Sequence, residues 1–413
     1  MPIDPQDKEM LRRLAGRVAE IAALPVHAAK AEMWRKLNRL EPVRPLVWIN
    51  EICWDEMGPD VACRAADPFL RGIEGRLRRT LYQWEHLPAD MIVEGWVGCP
   101  MAIADTGYGL AQQVTRTDAD LVKSAVDYVP ILRDEADVEK IRTPQVTVDA
   151  AESDRRMERM AEVFGGLLEV RQVGVSSTWF APWDRLIQWY GIQELYTDMF
   201  DRPEMVRLAV RRMVDAMLGK YEQYEAIGLL SLNNGNNRVG SGGLGITDEL
   251  PQPDFDPGRV RMIDMWGNSA PQIFSEVSPE MHWEFALKDE IRILERFGLN
   301  CYGCCEPLHK KIDILRRAPR LRRISMSPFV DVAEGAEAIG QDFIYSAKPN
   351  PAFLAANRWN ADDARSNLRE ILDKTRGLHV EIILKDIHTV RNEPQRLWQW
   401  AAMAMEMVEE YAR

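Results

Sequence analysis

The chain has 413 residues, 46% of them hydrophobic and 28% charged, which is enough apolar material for a sizeable core and an ordinary globular balance. Its formal charge of −12 argues against a nucleic-acid partner, which needs clustered Lys and Arg. No basic leader with an apolar core opens the sequence, and no apolar run approaches the about 18 residues of a membrane span. A cytoplasmic protein with reduced thiols and no membrane partner is therefore expected.

The first 40 residues carry two helical patterns. Eight short apolar, often β-branched runs follow: PLVWINEI (45–52), DMIVEGWV (90–97), EVRQVGVSS (169–177), GLLSLNN (228–234), GLNCYGCC (298–305), LRRISMSP (321–328), DFIYSAKP (342–349) and HVEIILKD (379–386). Such runs suit strands buried on both faces of a parallel sheet. Amphipathic helices separate the later ones. DRPEMVRLAVRRMVDAMLGKYEQYEAIG has Pro203 near its start and Gly228 at its end. SPEMHWEFALKDEIRILERFG opens with Ser278 as cap and Pro279 as first helical residue. NEPQRLWQWAAMAMEMVEEYAR closes the chain, its Trp and Met stripe reading as core packing. The alternation predicts an α/β fold, a single (β/α)8 TIM-type barrel over residues 45–413 with an N-terminal helical extension, 1–40, all one domain. An open doubly wound sheet is the alternative, but no Gly-rich dinucleotide fingerprint follows the first run. GSGGLGITDE, after the fourth run, reads as a flexible active-site loop.

Barrel chemistry gathers at the C-terminal ends of strands. Here those ends supply Asn50, Glu51 and Trp54; Glu94 and Trp96; Ser176, Ser177 and Thr178; Asn233, Asn234 and Asn236. The later runs add Cys304, Cys305 and Glu306, then Ser327, Lys348 and Asn350, and finally Lys385, Asp386 and His388. Cys304 facing His388 across the mouth would suit zinc with one position open. Successive strand residues point to opposite faces, so Cys305 or Glu306 reaches the same ion only if the strand bulges or has ended. Substrate-lining cysteines, or a redox pair at Cys301 and Cys304, are the other readings. On a strand, residues 301 and 304 would face opposite sides, against a disulfide. His309 reads as a capping or packing residue, and His27, His86, His282 and His379 as structural.

The segments AEMWRKLNRLEPVRPLVWIN (31–50), SSTWFAPWDRLIQWYGIQELYTDMFDRPEMV (176–206) and GNSAPQIFSEVSPEMHWEFALKDEIRILERFG (267–298) resemble the uroporphyrinogen decarboxylase superfamily. That likeness implies one (β/α)8 barrel and one of two activities, porphyrinogen decarboxylation or corrinoid-dependent methyl transfer. Decarboxylases carry a substrate-clamping arginine after the first strand, whereas this chain has NEICWDE, with three acids and no arginine. An acidic mouth would repel a polycarboxylate. The methyltransferase branch holds zinc on a His-x-Cys pair and a later Cys. Tyr302 and Cys304 stand at the first two positions here and His388 at the third, with Glu306 the remaining candidate. The resemblance thus implies zinc on Cys304 and His388 with Glu306 the best candidate for a third ligand, beside Cys305 from the strand-end reading, and a cobalamin carried by a separate corrinoid protein.

The expected activity is methyl transfer from a small methylated donor, such as a methoxylated aromatic, to that corrinoid. Lys385, or a protonated Glu94 or Asp386, would meet the charge on the leaving oxygen. Trp54, Trp96, Trp179 and Phe180 would wall an aromatic substrate, with Glu51, Asn233 and Asn236 beside it. The alternatives are a decarboxylase-type lyase, a thiol-directed methylcobamide methyltransferase and a non-catalytic binding barrel. Barrels of this kind often pair, so a homodimer is a further expectation.

Overall fold

The structure, a computed structural model, describes residues 3–116 and 126–411. Its strands in chain order are β1 (Leu46–Ile49), β2 (Trp96–Pro100), β3 (Ile103–Asp105), β4 (Val114–Arg116), β5 (Val126–Tyr128), β6 (Val146–Val148) and β7 (Glu169–Val173). Then come β8 (Trp179–Phe180), β9 (Trp266–Ser269), β10 (Leu299–Tyr302), β11 (Leu321–Met326), β12 (Ile344–Ala347) and β13 (Val380–Leu384).

Seven strands form a parallel sheet in the order β1–β13–β12–β11–β10–β9–β8. The first and last strands are neighbours, with Leu46 opposite Glu381 and Ile49 opposite Leu384. β2 and β7 form a separate parallel pair. A parallel bridge between Val175 and Leu230 extends that pair. Asn233 ties it to the larger sheet, donating to Ser176 O (3.2 Å) and Trp266 O (2.9 Å) and accepting from Trp266 N (2.8 Å). The ladders therefore draw a seven-stranded sheet and a two-stranded pair rather than one continuous eight-stranded ring.

Two expected strands shift. GLLSLNN is reduced to the single bridge at Leu230. In DMIVEGWV only Trp96 and Val97 are strand; its start follows β1 instead, through Asp90 N to Val47 O (2.9 Å) and Val47 N to the Asp90 carboxylate (2.8 Å). β9, with the sequence WGNS, was not expected, because it has no apolar run. The small antiparallel pairs β3–β6 and β4–β5 were also unforeseen.

The helices follow their sequence signals closely. Pro5–Ala22 and Val26–Asn38 precede β1. Pro203–Ala226 begins at its proline. The Ser278 hydroxyl caps Pro279–His282 by accepting from Met281 N. That helix continues through a π turn, Trp283–Leu287, into Lys288–Leu294. The last helix, Gln395–Tyr411, buries Trp400, Met403 and Met407. Among the described residues no helix is long and apolar enough to cross a membrane.

The two faces of the sheet differ in kind. Ile324, Met326, Tyr345, Ala347, Ile382 and Leu384 pack with Leu368, Ile371, Trp400 and Met407 of the helices, an apolar layer held by area removed from water. Alternate residues on the other face are Arg323, Ser325, Ser346, Lys348, Glu381 and Lys385, all buried. Arg323 and Glu381 pair at 3.2 Å, and the Ser346 hydroxyl donates to Glu381. Branched aliphatic side chains usually fill that position in a parallel barrel.

Backbone takes their place. The glycine-rich segment expected to be flexible is buried over residues 241–247 and lies on this polar face. Ser241 Oγ donates to Gly303 O (2.9 Å), Gly243 N to the Glu381 carboxylate (3.2 Å), and Asn38 Nδ2 to Leu244 O and Ile246 O (3.0 and 2.8 Å). A Cβ on Gly242 would stand 2.4 Å from Arg323 Cδ, and one on Gly243 would stand 2.3 Å from Trp34 Cη2. Glycine is needed there for close approach, not for mobility.

Candidate active site

A cavity of about 470 Å³ opens at the C-terminal ends of β1, β10 and β13, lined by Glu51, Ser176, Ser177, Thr178, Trp179, Arg238, Gln272, Cys304, Lys385 and Asp386 among others. Its volume lies in the range of small-molecule sites.

The turn after β10 sets the sulfur geometry. The strand stops at Tyr302, and Gly303 has φ +90°, a left-handed conformation where a Cβ would also meet Leu308 Cδ1 at 2.4 Å. Past that turn residues 304 and 305 no longer alternate, and their Sγ atoms lie 3.5 Å apart. The Cys304 N–H donates to Glu306 Oε2 (2.9 Å). Glu306 is fully buried, and burial pushes its carboxyl up to about 7.

The ends of β1 and β13 also leave extended geometry. Glu51 has φ +51° and Asp386 φ +57°, a conformation costing non-glycine residues about 1–3 kcal/mol each. The bonds Asn50 N to Leu384 O (2.9 Å) and Ile387 N to Glu51 O (3.2 Å) hold them side by side.

Lys385 is the hub of the site. Its Nζ is 3.0 Å from Cys304 Sγ, 3.2 Å from Asp386 Oδ2 and 3.7 Å from Glu51 Oε2. Burial opposes its charge, but the sulfurs and Glu51 more than offset this and raise its pKa. The hydrogen bond from Cys305, reinforced by Lys385 against burial, brings the Cys304 thiol down to about 6. Cys305 is pushed up by the proton it gives to Cys304. Glu51 and Asp386 share a hydrogen bond. Burial would raise Glu51, yet Asp386, Arg238 at 2.7 Å and Lys385 hold it down at about 2. Asp386 is raised by burial and by its bond to Glu51, so of the two carboxyls Asp386 holds a proton more readily. Beneath them, Lys348 donates to Ser346 O (2.9 Å), and burial lowers it to about 7. The arrangement can hold an anion, keep a thiolate and deliver a proton.

The fold has a known counterpart. A methyltransferase from Methanosarcina mazei superimposes with a TM-score of 0.52 at 11% identity, over 92% of this chain and 98% of that one. No family profile matches the sequence, and no curated protein matches it. At this identity the likeness establishes the fold, and the chemistry must be argued from the site.

Of the residues singled out from the sequence, Glu51, Trp179, Cys304, Lys385 and Asp386 line the cavity together. Cys305 joins through its sulfur, which is 3.8 Å from Asp386 Oδ2. Glu94, Trp96 and Asn236 line a second cavity of about 410 Å³ on the β2–β7 side. Trp54 packs edge-on to Tyr82, with Arg79 over its ring. Phe180 is buried against Tyr221 and Phe297. Asn233 is spent on the strand junction described above. His309 packs near Glu334 (3.7 Å), and His282 is buried against the Tyr302 hydroxyl (2.8 Å).

The expected zinc site does not assemble. His388 is exposed and outside the cavity lining, and among the described residues no group of three or more His, Cys, Asp or Glu side chains is arranged to hold a metal ion. The charge facing the Cys304 sulfur is the Lys385 ammonium. Sequence reasoning missed Arg238 and Gln272. The acid-rich NEICWDE required a cation nearby, and that need was the signal that could have found Arg238.

Proposed function

We propose that this chain is a methyltransferase that moves a methyl group from a small methylated compound, a methoxylated aromatic by class, to the cobalamin of a separate corrinoid protein. On this reading the sheet and the β2–β7 pair are two arcs of one (β/α)8-type barrel. One observation carries the proposal: two carboxyls that share a hydrogen bond, Glu51 and Asp386, are held with Lys385 at the wall of an open cavity beside Trp179. When a methyl group leaves oxygen, that oxygen gains negative charge, and the barrier falls if a proton donor meets it. Asp386 supplies the proton. Glu51, kept ionised by Arg238, retains the negative charge and draws Lys385 to the site. Trp179 offers an aromatic ring its flat face. The corrinoid, when docked, supplies the cobalt nucleophile that accepts the methyl group. No step here requires zinc.

A decarboxylase-type lyase would need free cations to clamp carboxylates, yet Arg238 and Lys385 are both paired with acids. The test uses the full-length protein with chemically reduced cobalamin and a panel of methoxylated aromatics, following corrinoid absorbance and the demethylated product. Methylation of cobalamin with release of a phenol supports the reading. Failure with every donor, together with carbon dioxide release from a porphyrinogen, would overturn it.

A further inference from the structure

The proposed transfer uses the two carboxyls and Lys385 and leaves a pair of sulfurs at the cavity unused. All six cysteines are free. Cys53, Cys99 and Cys301 are buried, and Cys63 is exposed on a different segment. Only Cys304 and Cys305 are in sulfur–sulfur contact among the described residues, at 3.5 Å. Gly303 turns the chain so that these neighbours converge. Lys385 Nζ lies 3.0 Å from Cys304 Sγ and 3.9 Å from Cys305 Sγ. An ammonium so placed favours the thiolate, the nucleophilic form of cysteine. Cys305 is exposed, and Cys304 is buried at the wall of the open cavity, so a small reagent approaches the pair from the cavity side.

We propose that Cys304 and Cys305 are a vicinal-dithiol modification site, with Cys304 attacking hydroperoxides and Cys305 resolving the product to a disulfide. In the first step the Cys304 sulfur bonds to one peroxide oxygen as the O–O bond breaks. The departing hydroxide takes a proton from solvent, leaving a sulfenic acid and water. In the second step the Cys305 thiol gives up its proton, its sulfur bonds to Cys304, and the S–O bond breaks to release a second water. Two electrons pass from the sulfurs to the peroxide. The closed ring no longer offers Lys385 a thiolate, so the modification reaches the centre of the cavity. This inference stands on the sulfur geometry alone and is independent of the methyl-transfer reading.

Full-length protein is treated with hydrogen peroxide and its intact mass is followed. The expected product is lighter by two hydrogens, is restored by dithiothreitol, and maps to the peptide holding residues 304 and 305. Cys305→Ser should instead gain oxygen at Cys304. Cys304→Ser should form no disulfide at this site, and Lys385→Met should react about tenfold more slowly as the thiolate is lost, with circular dichroism confirming that each variant is folded. As a second probe, phenylarsine oxide, which bridges paired thiols, should bind one per chain and block alkylation of both. Oxygen addition at Cys304 in the unmodified sequence, a disulfide elsewhere, or alkylation of both sulfurs unaffected by the arsenical would overturn the proposal.

Discussion

Two layers of the same sheet face carry buried charge and treat it differently. In the lower layer Arg323 faces Glu381, Asn38 and the carbonyl of Gly243, and the glycine segment closes over them. In the upper layer, just past the end of β13, Lys385 faces Cys304, Glu51 and Asp386 around an open cavity. Taking charges out of water is costly unless partners surround them. The lower set is matched by protein alone, so its energy goes into holding the fold. The upper set meets solvent on one side, and its shared carboxyl hydrogen bond and its lowered Cys304 thiol are assets for chemistry rather than for stability.

Breaking the upper layer should abolish activity and spare the fold. Asp386→Asn removes the transferable proton, and methyl transfer should fall by about 10²–10⁴ with an unchanged urea midpoint. Because the pair's proton is lost as pH rises, turnover of the unaltered protein should decline on the alkaline side, and Asp386→Asn should flatten that decline. Breaking the lower layer should do the reverse. Glu381→Leu strands the buried Arg323 and should cost about 3–5 kcal/mol in chemical denaturation. A smaller loss is expected from Gly303→Ala, which puts a Cβ at a φ of +90° and against Leu308. It should destabilise by about 1–3 kcal/mol and slow closure of the Cys304–Cys305 disulfide.

A spectroscopic contrast sharpens the comparison further. Ultraviolet thiolate absorbance should titrate near about 6 for Cys304 and move up in Lys385→Met. The folded value lies below the ordinary 9.0, so the sign is fixed. This group's contribution to stability is complete above about 9.0 and is lost as pH falls through about 6. Lys385→Met should make that slope shallower, the Cys305 hydrogen bond keeping part of it, and a slope unchanged in the variant would contradict the ion pair. The smallest effect belongs to the second cavity: Glu94→Gln should shift stability by less than about 0.5 kcal/mol and leave turnover nearly intact.

Much of the architecture was legible in the residues. Pro203, Ser278 and Pro279 mark helix starts by backbone chemistry that tertiary context did not override, and the apolar runs around Ile324, Tyr345 and Ile382 found real strands. β9 was invisible because WGNS is buried by neighbours rather than by its own hydrophobicity. The Gly-rich segment was misread because close approach and flexibility use the same residue. The ends of the first and last runs supplied Glu51, Lys385 and Asp386 to the cavity lining, since parallel strands fix where their tips point. His388 failed because Asp386 adopts a left-handed conformation, so alternation along β13 does not carry past residue 385. Cys305 joined for the corresponding reason, with the turn at Gly303 in place of Asp386.

The buried glycine segment has one more consequence. It runs from Arg238 and Gly240 at the rim down to Trp34 and Asn38, plugging the centre with main chain. A compound beside Trp179 would therefore rest against a wall of main chain on the side of Gly240, one that cannot swing aside as a side chain can. Any side chain added along residues 242–245 would have to push that wall, and with it the shape of the cavity, before it found room.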